Sequence, residues 1–146
     1  GNRWSYKYAR RQWDLLDNQN LTYHYLGDFD RSMLSLIKDK DEFQQIPVEE
    51  IGHDDGDQIL TYKREDLGVV FNFSPTQSFT DYGFLVAPGS YQVILNTDNT
   101  SFGGNGFVDE NINHLTVNDP LYEGEKKEWL KLYIPARSAQ VLKKID

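Results

Sequence analysis

The side chains suited to acid–base or metal chemistry are few and scattered. The histidines are His24, His53 and His114. None forms the H-E-x-x-H pair that sets two zinc ligands on one helix face. The run His53-Asp54-Asp55-Gly56-Asp57 concentrates donor atoms, but it lacks the alternating ligand order of a calcium loop and reads as a solvated acidic turn. A calcium loop from Asp98 to Asp109 would put Phe102 at a ligand position, where no oxygen is offered. Gly103-Gly104-Asn105-Gly106 lacks the G-K-[ST] ending of a phosphate loop and opens no helical pattern, so it reads as a flexible, backbone-defined loop between strands. The chain has no Cys, which removes a thiol nucleophile, a disulfide framework and Cys-ligated metals. No G-x-S-x-G elbow occurs. Carboxylates are plentiful, yet their spacing marks no acid–base pair, because a glycosidase pair meets only in space. These residues therefore nominate no catalytic group, metal or cofactor.

The informative excess is aromatic: 3 Trp, 9 Tyr and 8 Phe, 14% of the chain. Flat rings fill cores and favour strands. They also stack on the apolar faces of sugar rings. Trp4, Tyr6, Tyr8 and Trp13 surround Arg10-Arg11. Those arginines either cover the rings with their stems while pairing with carboxylates, or rim a site for a polyhydroxy ligand. Asn20-Leu21-Thr22, Asn72-Phe73-Ser74 and Asn99-Thr100-Ser101 fit the N-glycosylation pattern, a short pattern that Asn-rich chains meet by chance.

Two kinds of element carry these residues. Tyr6, Ala9, Trp13 and Leu16 are spaced for one helix face, and Asn18-Gln19-Asn20 breaks the pattern. Phe29, Met33, Leu36 and Ile37 line a second helix, with Asp28 or Asp30 as its expected cap and Lys38-Asp39-Lys40-Asp41 as its solvated end. Two helices cannot cover both apolar faces, so they need a partner. From about residue 58 the period becomes that of strands. Residues 58–64 and 67–73 are rich in β-formers, separated by Glu65-Asp66. Pro88-Gly89 suits the centre of a type II turn joining 83–86 to 91–95. Trp129, Lys131 and Tyr133 alternate with Leu130, Leu132 and Ile134 before a turn at Pro135-Ala136-Arg137. This predicts six to eight short strands in an antiparallel β-sandwich. The break between the two kinds of element falls near 46–57, where Pro47, Gly52, Gly56 and acidic residues cluster.

Composition narrows the function classes. The chain has 146 residues, with 15 Lys plus Arg against 23 Asp plus Glu, a net charge of −8. That length suits one domain, or one with an appendage. The charge argues against a nucleic-acid partner and against an anionic membrane surface. No apolar run approaches the ~20 residues of a membrane span. The N-terminus lacks both Met and an apolar signal core, so the chain reads as a piece of a longer, cytoplasmic protein.

Against this background several blocks take on meaning together. Residues 2–15, from Asn2-Arg3-Trp4-Ser5-Tyr6 to Trp13-Asp14-Leu15, resemble a stretch of the 1,4-α-glucan branching enzymes. Tyr23-His24-Tyr25-Leu26-Gly27-Asp28-Phe29-Asp30-Arg31-Ser32-Met33 is similar to the family's Y-x-x-L-x-x-F-D-x-x-M. Residues 71–82, from Phe71-Asn72-Phe73-Ser74-Pro75 to Asp81-Tyr82, resemble its F-N-F-H-P-x-x-S-x-x-D-Y, with Ser74 where the family commonly has His. Pro88-Gly89-Ser90-Tyr91, Asn96-Thr97-Asp98, Phe102-Gly103-Gly104, Asp109 and Tyr133-Ile134-Pro135-Ala136-Arg137-Ser138-Ala139 continue the likeness in order, over nearly the whole chain.

The resemblance implies an α-amylase superfamily enzyme that cleaves an α-1,4-glucan and transfers the chain to a 6-hydroxyl by a retaining, two-carboxylate mechanism. The motifs of its catalytic carboxylates do not occur here, so no residue inherits a catalytic role. It implies that residues 1–45 are the helical tail of the catalytic (β/α)8 barrel and 46–146 an all-β C-terminal sandwich of the α-amylase type. The implied partners are α-glucan and the barrel in cis. Trp4 and Tyr6 stand nearest the end of the last barrel strand, where such barrels hold their sites, and are the candidate substrate contacts. Packing of the helix against the barrel explains them equally well. Two other readings stay open: a stand-alone glucan-binding module using Trp4, Tyr6, Tyr8 or Trp129, and a sandwich unconnected with sugars.

Overall fold

β-Branched and aromatic residues alternating with polar ones cannot lie flat as helices, and from residue 49 the chain is built from strands. The computed structural model describes residues 12–38, 46–118 and 128–146. Among the described residues two helices come first: α1 (Trp13–Asp17) and α2 (Tyr23–Ile37). The strands are β1 (Glu49–Asp54), β2 (Ile59–Arg64), β3 (Leu67–Asn72), β4 (Phe79–Leu85), β5 (Ser90–Asn96), β6 (Asn113–Leu115), β7 (Val117–Asn118), β8 (Glu128–Ile134) and β9 (Ser138–Lys144). A 3-10 turn, Thr100–Phe102, follows β5.

The strands form two antiparallel sheets, of order β1-β2-β3-β9-β5-β6 and β4-β8-β7. The expected antiparallel sandwich is what forms. Its core is Ile59, Val70, Phe84, Tyr91, Val93, Leu130, Leu132, Ile134 and Leu142. The alternation in β8 is the expected one: Leu130, Leu132 and Ile134 point inward and are almost completely buried.

Three local readings are corrected. Residues 49–54 belong to a strand rather than to a connection; backbone pairing with β2 outweighs the low strand propensity of Glu, Gly and Asp there. Asp28 and Asp30 lie inside α2, which begins after Thr22. Asp28 instead pairs with Arg31 one turn on, at 2.7 Å. Pro88-Gly89 does not close a hairpin. Strand β4 pairs with β8, and β5 with β6 and β9, so the bend carries the chain from one sheet to the other. Gly89 has φ +148°, far from the roughly +80° of a type II turn. Thr116 holds it: its N–H donates to the Gly89 carbonyl at 3.0 Å, and its Oγ1 accepts the Gly89 N–H at 3.1 Å.

Polar side chains are buried where the backbone changes sheets, because a crossing strand leaves N–H and C=O groups without a ladder partner. Asn72 donates to the Gln77 carbonyl at 2.8 Å and accepts the Ser74 N–H at 2.9 Å. Gln140 donates to the Tyr133 carbonyl at 2.8 Å, and Ser138 to that of Pro135 at 2.6 Å. The Arg137 N–H reaches the Ser74 carbonyl at 3.1 Å. The two motif blocks around Ser74 and Arg137 thus meet in space and lock two crossovers together.

Candidate functional site

The loop after β5 is built around one carboxylate. Asp98 is only 5% exposed and is the only buried acid among the described residues. Its Oδ1 accepts the Asn105 N–H at 3.0 Å, and its Oδ2 accepts the N–H groups of Phe107 at 2.6 Å and Val108 at 3.3 Å. Its own carbonyl accepts the Gly106 N–H at 2.7 Å. A Cβ on Gly104 would lie 2.1 Å from the Asp98 carbonyl oxygen, so only glycine fits. The glycine run is therefore a wrapped carboxylate cage, not a flexible loop. Glu110 closes the other side, accepting from Asn96 Nδ2 at 2.6 Å and Asn99 Nδ2 at 3.1 Å. Both carboxylates are taken up mainly by hydrogen bonds that shape the loop, and their work is structural.

The caged loop receives α2. The Phe29 ring meets the Phe102 ring edge-on, centroids 5.4 Å apart, and Gly103 lies under the Tyr25 ring. Helix α1 is fixed in turn by Leu16, whose Cδ1 stands 2.3 Å from where a Cβ on Gly27 would be. These contacts fall on two edges of α2, Tyr25 and Phe29 on one and Gly27 on the other. Between them Tyr23, Leu26, Met33, Leu34 and Ile37 are exposed, Leu26 to 70%, and Trp13 on α1 to 61%. Together they form an apolar stripe along the helix surface.

Thr97 borders this helix joint and also a hollow lined by Phe71, Phe73, Arg137 and Ala139. There Tyr62, Phe71 and Phe73 stack in a row, with centroid spacings of 5.8 and 5.5 Å. The row lies on the outer face of the larger sheet, and Phe73 is 60% exposed. The apolar surface of the helices and that of the sheet thus adjoin at Thr97.

Trp4 and Tyr6, the candidate substrate contacts, lie outside the described residues, as do Tyr8, Arg10 and Arg11. His53 sits on β1 with Nδ1 2.7 Å from Glu50 Oε1, and that hydrogen bond with the carboxylate's charge raises its pKa. Asp54 accepts the Asp57 N–H at 2.8 Å in the β1–β2 turn. His24 donates from Nδ1 to the Leu21 carbonyl at 2.5 Å. His114 on β6 is half-buried, which lowers its pKa against the opposing pull of Asp109. Among the described residues no three His, Asp or Glu side chains group as metal ligands. Of the glycosylation patterns, Asn72 is buried and Asn99 caps the 3-10 turn, which leaves Asn20 as the exposed one.

Residues 50–145 match the family model described as the alpha amylase, C-terminal all-beta domain. The chain belongs to that family. The resemblance carried by the motif blocks is borne out by the relatives of this α-amylase C-terminal domain. It is 40% identical over 144 residues to a 1,4-alpha-glucan-branching enzyme of Emericella nidulans, covering 97% of this chain and 21% of the relative. It is 38% identical over 144 residues to the enzyme of that name from Candida glabrata (97% and 20%) and 37% over 140 residues to that of Saccharomyces cerevisiae (94% and 20%). The chain spans about a fifth of the length of these curated relatives. No helix among the described residues is long and apolar enough to cross a membrane.

Proposed function

We propose that this chain is the C-terminal part of a 1,4-α-glucan branching enzyme, a cytoplasmic enzyme that cleaves α-1,4-glucan and transfers the freed chain to a 6-hydroxyl. The observation that carries this is the match over at least 94% of the chain to relatives bearing that name. In this reading residues 1–45 are the tail of the catalytic barrel and 46–146 the sandwich that braces it. Trp4 and Tyr6 then stand beside the glucan path, and the chain by itself is inactive. The exposed apolar residues of α1 and α2 support it, since contiguous apolar surface marks contact with another part of a protein. The cover is the rest of the same polypeptide.

The test is enzymatic. The full-length protein should lower the iodine absorbance of amylose and yield short chains after debranching, while the 146-residue chain should do neither. A full-length protein that leaves amylose unbranched would sink the reading.

A further inference from the structure

The caged loop also holds a chemical reaction in check. Of the asparagines in the chain, only Asn105 is followed by glycine. An asparagine side chain closes on the backbone nitrogen of the next residue most readily when that residue is glycine, which puts no side chain in the way. The nitrogen first gives up its proton to a base in solvent. Its electron pair then forms a bond to the asparagine Cγ, the Cγ–Nδ2 bond breaks, and Nδ2 leaves as ammonia. Water opens the resulting five-membered imide at either carbonyl, giving aspartate or isoaspartate. Nothing is oxidised or reduced, and water is the co-reactant.

Asn105 is exposed, so solvent base and water reach it. The cage opposes the first step. The Gly106 N–H donates to the Asp98 carbonyl at 2.7 Å, a bond that is lost when the proton leaves. On either side of Gly106 the chain is tied to the same residue, by the Asn105 N–H on Oδ1 at 3.0 Å and the Phe107 N–H on Oδ2 at 2.6 Å. A deprotonated Gly106 nitrogen would also be an anion beside the buried Asp98 carboxylate.

The products do not fit back into the cage. Asn105 Nδ2 lies 3.5 Å from Asp98 Oδ1. Aspartate puts a carboxylate oxygen in place of that amide nitrogen, facing a like charge. Isoaspartate runs the main chain through its own Cβ and Cγ. The added backbone atom shifts the Phe107 and Val108 N–H groups that grip Oδ2. The same loop seats α2, through Phe102 on Phe29 and Gly103 under Tyr25.

We propose that Asn105 is a self-modification site latched by the Asp98 cage. Deamidation is slow while the cage is closed; once it has occurred the cage stays open and α2 loses its seat.

The test incubates the 146-residue chain at mildly alkaline pH and follows Asn105 by peptide-mapping mass spectrometry. The folded chain should deamidate there roughly tenfold more slowly than the same chain unfolded in urea. In urea below the unfolding midpoint, deamidation and hydrogen exchange of the Gly106 amide should accelerate in parallel. Asp98→Ala should speed deamidation while the strand amides keep their NMR dispersion; if that variant does not fold, the urea series on the unmutated chain decides. Asn105→Asp should hasten exchange of the Phe107 and Val108 amides and shift the Tyr25 and Phe29 ring signals, and Asn105→Ser, which adds no charge, should do so less. Equal rates in the folded and unfolded chain, or deamidation that does not track Gly106 exchange, would overturn the latch. An Asn105→Asp chain with the parent's exchange rates would overturn its one-way character.

Discussion

Asp98 shows how much one side chain can organise. It was readable in the sequence as part of an N-T-D block, and the calcium loop it would open was set aside because Phe102 falls at a ligand position. Its actual partners are backbone N–H groups seven to ten residues on, which no spacing rule marks. Asp98→Ala leaves those donors buried and unpaired, at about 1–3 kcal/mol for each such group. We expect a loss of roughly 3 kcal/mol in urea unfolding, and Gly104→Ala should cost a comparable amount because its Cβ meets backbone, not a movable side chain. His114 gives a pH signature. Burial lowers its folded pKa below the ordinary 6.5, so its neutral form is the one that folding favours. Its contribution is fully present above that value and is lost as pH falls through the folded pKa. Urea midpoints should therefore decline from pH 7.5 to 5, and His114→Gln should flatten that decline.

At the scale of elements, the strands with strong β-formers, β2, β3, β5, β8 and β9, were legible from composition and alternation. Strand β1 was not, because Glu49, Glu50, Gly52 and Asp54 are poor strand formers held by register with β2. The pairing of β4 with β8 and not β5 was also hidden, since sheet assignment depends on which faces meet across the core. Gly68 in β3 is the instructive weak point. It pairs with Lys63 and Leu142, but nothing lies within 4 Å of where its Cβ would be. It opens instead on a cavity of about 460 Å³ lined by Leu67, Val86 and Tyr91. Gly68→Val adds methyl groups to that space and removes the entropy a glycine loses on folding. A stabilisation of roughly 1–2 kcal/mol is expected, read as a rise in Tm; a fall would mean the cavity walls are already closed.

Among the described residues a sandwich carries two helices, and a stripe of apolar side chains on them is exposed. The exposed stripe was foreseen from the two apolar helix patterns, while the joint of α2 on the caged loop was not, since it brings together Phe29 and Phe102, 73 positions apart. Alone, the chain should self-associate through Leu26, Met33 and Leu34, and a Leu26→Asp, Leu34→Asp double variant should sediment as a monomer at concentrations where the parent chain does not. Strand β9 has a consequence of another kind. It lies between β3 and β5 and is the last strand in the sequence. During synthesis, then, β1-β2-β3 and β5-β6 exist as two half-sheets, each with a raw edge waiting for residues 138–144. Until those residues leave the ribosome the domain can neither close nor hide its edges from other nascent chains. A deletion of residues 138–144 would be harsher than most substitutions in the core.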